Sequence, residues 1–128
     1  MKFIIVALAF VSAVLAADPP MRNEFDKLLV QTMMTNFAKM EYRLMELSHE
    51  ITHLETTKSA TEQATIVAEI EMMIGTAEHG EKILAGELAR KDLNILEQID
   101  FESAQKIAQI LVKNLKAAEV KVKAIKTH

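Results

Sequence analysis

Between Val30 and Leu54 large apolar residues recur in alternating steps of three and four: Val30, Met33, Phe37, Met40, Leu44, Leu47, Ile51 and Leu54. Such steps average close to one helical turn, so all eight fall on one face of a helix, as an a/d seam that packs against partner helices. An apolar patch of Met21, Phe25, Leu28 and Leu29 precedes the seam. Together they predict a helix from about Met21 to about Thr56, about 50 Å long at 1.5 Å per residue. Helices in water owe most of their stability to packing an apolar face. This one therefore needs partner helices.

The rest of the chain supplies them. Thr56-Thr57-Lys58-Ser59 interrupts the seam, and Ser59 followed by Glu62 has the spacing of a capping box. A second helix is expected from Ala60, with Ala64, Val67, Ile70, Met73, Ile74 and Ala77 on one broad face. The three glycines, Gly75, Gly80 and Gly86, follow within twelve residues. Gly80 is placed to close this helix in the left-handed conformation. The alternative is one helix through all three glycines, at about 1 kcal/mol each relative to alanine.

A third helix is expected from Glu81 to about Gln98, with Ile83, Leu84, Leu88, Ile95 and Leu96 inward. Asp100 and Glu102 suit the negative first turn of a last helix. That helix carries Ala104, Ile107, Leu111, Leu115, Ala118, Val122 and Ile125 at helical spacing. The third and last segments also read as one helix. No period-two run and no Asn-Gly or Asp-Gly turn signals a strand, and no proline follows Pro20. The fold class is all-α: an antiparallel up-and-down bundle of three to four amphipathic helices, with coiled-coil-like packing and a long first helix.

The N-terminus carries a different pattern. Lys2 precedes an apolar run, Phe3 to Leu15, and Val14-Leu15-Ala16 suits a signal peptidase. Thirteen residues are too few for a bilayer, which needs about 20. The expectation is a signal peptide over residues 1–16, cleaved after Ala16 or Ala17, with no stable membrane span left afterwards. Residues 17–20, Ala-Asp-Pro-Pro, form an extended leader, because proline fixes φ and restricts the residue before it. Residues 21–128 then form a single helical-bundle domain in a secreted, extracellular protein. The chain has no cysteine, so it lacks the disulfides on which small secreted domains usually rely. It also has no Asn-x-Ser/Thr site for a glycan.

Charge narrows the partners. The chain is mildly acidic overall, but unevenly so: Glu41 to Glu102 holds 14 acidic against five basic residues, and Ser103 to His128 six lysines against Glu119. Lysines suit a helix C-terminus and an acidic neighbouring helix. Nucleic-acid binders are basic overall and carry stacking aromatics. A nucleic-acid partner is not expected.

One short motif carries chemistry. His49-Glu50-Ile51-Thr52-His53 is similar to the zincin signature, in which histidines at i and i+4 hold zinc and the glutamate is the general base. The resemblance covers five residues. The extended metzincin form needs glycine at Thr56 and histidine at Ser59, and nothing singles out Glu71, Glu78 or Glu81 as a third ligand. With Ile51 on the seam, His49 and His53 fall about 200° round the helix from it, on the outward face. A water-activating zinc needs a shaped, partly dry cavity and a second shell. His49 and His53 are thus weak metal candidates on a solvated face, and no metal, cofactor or catalytic residue is expected.

Met33, Met34, Met40, Met45, Met72 and Met73 lie on or beside the apolar faces. Methionine fills irregular cores and suits adaptable binding surfaces. Two readings of function follow, with a remote third. The first is a secreted, non-enzymatic binding or structural protein acting through helix–helix contacts, by self-association as a homo-oligomer or with an extracellular protein partner. The second is an extracellular carrier of lipid or another small apolar ligand between methionine-rich helices. The third is a zinc metalloprotease.

Overall fold

The computed structural model describes residues 21–128, with side chains from Glu24 onward. The expected signal peptide and leader lie outside the described residues. Three helices follow one another: α1 (Met21–Thr57), α2 (Ala60–Leu88) and α3 (Ile95–Lys123). Two residues join α1 to α2 and six join α2 to α3, so successive helices run antiparallel in an up-and-down bundle. The described residues contain no strand.

Each boundary has a local cause. α1 stops because Lys58 turns left-handed, with φ of 53°, and its N–H bonds back to Leu54 O at 2.8 Å. Ser59 then caps α2, its hydroxyl accepting from Glu62 N at 3.2 Å. Glu62 does not complete a box with Ser59; its carboxylate accepts from the Thr57 hydroxyl at 3.0 Å. A full capping box opens α3: Asn94 Oδ1 accepts from Glu97 N at 2.8 Å, and Glu97 Oε1 from Asn94 N at 3.3 Å.

The bundle therefore has three helices and no boundary at Gly80 or near Asp100. α2 passes through Gly75, Gly80 and Gly86, none with positive φ. Gly80 serves packing rather than a turn. It is buried, and a Cβ there would meet the Phe37 ring at 3.0–3.1 Å. The break falls instead at 89–94, and the last helix starts from Asn94.

Of the α1 seam, Met33, Phe37, Leu47, Ile51 and Leu54 are buried, while Val30, Met40 and Leu44 pack half-buried against the same cluster. α2 adds Ile66, Ile70, Met73, Ile74, Ala77 and Leu84, with Val67 partly buried; Ala64 faces outward. α3 contributes Phe101, Ala104, Ala108, Leu111, Val112, Leu115 and Val122, flanked by Ile107, Ala118 and Ile125. The register imposed by the Asn94 cap turns Phe101 and Ala104 inward. Ile95 and Leu96, expected inside, consequently face solvent, and Ile83 on α2 is also exposed.

The most extensive contact is between α2 and α3, the least between α1 and α2. Lysines of α3 meet the acidic α2, Lys116 with Glu78 at 3.3 Å and Lys123 with Glu71 at 3.5 Å. At the end where α1 passes into α2, Gln63 Nε2 donates to Val122 O and Ile125 O at 2.9 and 2.8 Å, and His128 N to Lys58 O at 3.1 Å. No described helix is long and apolar enough to cross a membrane.

Candidate functional site

His49, Glu50 and His53 lie on the exposed side of α1. Position Ile51 faces the core, and the 100° step between residues carries the other three outward. Glu50 pairs with Arg43 at 3.1 Å. Arg43 also pairs with Glu46 at 3.6 Å and reaches across to α2, where its Nη2 bonds Glu69 Oε1 at 2.8 Å and its Nε bonds Glu69 Oε2. The hydrogen bond to Glu69 holds the guanidinium above its ordinary range, and the same bond lowers the Glu69 carboxyl against some opposition from burial. Among the described residues no three His, Asp or Glu side chains converge to hold a metal ion. Glu50 and His53 border only a shallow depression with Thr61, Thr65 and Ile66. This face stitches α1 to α2.

The more enclosed polar centre lies at the other end, where the 89–94 connection meets α1. Asp26 is the buried charged residue of the described chain, 1 % exposed. Arg90 grips it in a two-pronged pair, Nη1 to Oδ1 at 2.9 Å and Nη2 to Oδ2 at 3.1 Å. The same guanidinium bonds Asp92 at 3.1 Å and Glu87. Hydrogen bonds to Asp26 first, and to Asp92 and Glu87, hold Arg90 above its usual range.

Glu97 joins the cluster from the first turn of α3. Its hydrogen bond with Asp26, and then burial, push its carboxyl up, with the Asn94 backbone opposing. Glu97 Oε2 is buried and receives no donated hydrogen bond. Two neighbouring carboxyls resist carrying charge together, so the folded state favours the protonated form of Glu97 more than water does. Beside them a cavity of about 250 Å³ has Val30, Leu96 and Phe101 for apolar lining and Glu24, Asp26, Glu97 and Asp100 at its acidic side. The arrangement clamps the 89–94 connection and the start of α3 to α1. It offers no nucleophile beside a base.

Nothing in the sequence reading singled out Arg90 or Asp26, 64 residues apart. A signal was available: one step of four before Val30, the seam position is Asp26. A charge on a buried seam demands a partner. Of the methionines, Met33 and Met73 are buried, Met34 and Met40 half-buried, and Met45 and Met72 exposed.

Residues 12–128 match the family described as mite allergen Blo t 5. Mite allergen Blo t 5 of Blomia tropicalis is 40% identical over the full length of both chains. Mite allergen Lep d 5 of Lepidoglyphus destructor is 42% identical over 83% of this chain and 96% of its own. Mite allergen Der p 5 of Dermatophagoides pteronyssinus is 36% identical over 98% of each. The crystal structure of dust mite allergen Der p 5 superposes with a TM-score of 0.66 at 32% identity, over 76% of this chain and 96% of that one. The chain belongs to the Blo t 5 mite allergen family.

Proposed function

From that membership, we propose that this is a secreted, extracellular, non-enzymatic protein that works through helix–helix contacts, by self-association or with an extracellular protein. The relatives are named as allergens rather than as enzymes, and the run from Phe3 to Leu15 supports secretion. The observation that carries the reading is the row of large apolar side chains left outside the bundle on α3: Ile95, Leu96, Ile99, Ile110 and Val120. Exposed apolar rows on an otherwise charged surface mark contact sites. The rival reading, a carrier of a small apolar ligand, has the 250 Å³ cavity in its favour. That is below the roughly 300–1,000 Å³ of ordinary ligand pockets.

Native mass spectrometry of the protein secreted from cultured cells tests the reading. We expect a chain beginning at Ala17 or Asp18, a homo-oligomer or a protein complex, and no stoichiometric metal. A retained Met1 overturns the cleaved signal peptide. Co-purified lipid in stoichiometric amount favours the carrier. One zinc per chain, with peptide cleavage abolished by Glu50→Ala, makes the protein an enzyme.

A further inference from the structure

The outer face of α3 repeats the arrangement found on its inner face. From Ile95 the outward positions advance in steps of four, three, four, four, three, four and three, ending at Val120. Every residue on that line is exposed. Ile95 is 73% exposed, Ile99 51%, Ile110 53% and Val120 69%. A helix that packs on one face only has a charged outer face. This line is apolar at both ends and charged only at Glu102, Lys106 and Lys113.

Those charges are arranged in a way that selects a partner. Laid antiparallel on itself about a two-fold axis between Lys106 and Gln109, the line pairs Ile95 with Val120 of a second copy and Ile99 with its Ala117. In the same register Glu102 faces Lys113 of the second copy, and Lys113 faces its Glu102. Lys113 makes no ion pair among the described residues, whereas Lys116 and Lys123 are already paired with α2. The central layer sets Lys106 against Ile110, where the lysine stem covers the isoleucine and its amine reaches the rim. A parallel pairing would instead put Glu102 against Glu102 and Lys113 against Lys113. Like charges directly opposed are disfavoured, and opposite charges fix register and orientation.

We propose that the outer seam of α3 is the site at which a second copy of this chain docks, antiparallel and about a two-fold axis. This rests on the helix-contact reading above and names its partner. The seam spans about 39 Å. The lysine at its centre weakens and orients the pairing, as a polar residue on a coiled-coil seam does, so the dimer is reversible.

Sedimentation equilibrium on the chain from Ala17 across the micromolar range tests it, with circular dichroism to check each fold. We expect a monomer–dimer equilibrium, weakened about tenfold or more by Ile99→Lys or Ile110→Lys. Glu102→Lys and Lys113→Glu should each weaken it, and the double exchange should restore it. Lys106→Leu should tighten it. A chain that stays monomeric overturns the proposal, as does self-association that ignores the isoleucine variants or fails to recover in the double exchange. A monomer that captures another protein or a lipid vesicle through this face also overturns it. The protein-capture outcome, like self-association through another face, leaves the broader helix-contact reading standing.

Discussion

Arg43 and Arg90 each gather three carboxylates, yet one cluster lies along the flank of the bundle and the other seals its end. Arg43 keeps 34% of its side chain exposed, and its partners Glu46 and Glu50 keep 49%. Arg90 keeps 18% and Asp26 only 2%. The number of ion pairs is the same; the access of water is not. Exposed pairs contribute little because solvent screens them and ordering two long side chains costs entropy. A buried carboxylate stripped of its arginine has no such fallback. The two clusters share their chemistry and differ in what their loss would do.

The largest break in the comparison is Asp26→Ala or Arg90→Ala. Each should destabilise the fold by about 3 kcal/mol or more, as expected when one member of a buried pair is removed. Urea melts measure this, and a loss no greater than at Arg43 would mean the end cluster is hydrated. Next comes Arg43→Ala, expected to cost about 1 kcal/mol or less and to cost less still in high salt.

Third in size is Glu97→Gln, which should raise stability at neutral pH. The sign follows from the raised carboxyl: the folded state favours its protonated form, so its contribution is present in acid and lost as pH rises through the folded pKa. Glu69 runs the other way. Its lowered carboxyl stabilises above the ordinary glutamate range, and that contribution is lost as pH falls through the folded pKa. Melting temperature against pH for wild type and Glu97→Gln should therefore diverge towards neutral pH and converge in acid. Divergence in acid instead would put the ionised form of Glu97 in the folded cap. The smallest effects belong to Glu50→Ala and to paired glutamines at His49 and His53, each within about 0.5 kcal/mol and without loss of function. A collapse of activity there would restore the zincin reading.

What the sequence made legible was what short spacing determines. A helical step of three or four decides which side of α1 is apolar, and Ser59 caps α2 through a residue three positions on. The breaks came where the deciding partner is remote. Gly80 reads locally as a helix end, but Phe37 of another helix lies against it. Ile95 and Leu96 read as core until the Asn94–Glu97 box sets the register of α3. Of the candidate sites, the histidine motif was conspicuous because all its residues are adjacent. The Asp26–Arg90 grip spans 64 positions, and only the charge standing in a seam position announced it.

The bond from His128 to Lys58, with Gln63 holding Val122 and Ile125, has a consequence for how the molecule opens. It fastens the free end of the α2–α3 hairpin, whose other end is closed by the 89–94 connection, so those two helices are tied together at both ends. α1 is joined to it by the smaller interfaces and the two arginine grips. In native-state hydrogen exchange the deepest amides of α1 should therefore exchange through a partial opening cheaper than the one that releases α2 and α3. In that opened form the seam from Val30 to Leu54 stands in water, and an apolar molecule would meet the interior of the protein without any pore having been built for it.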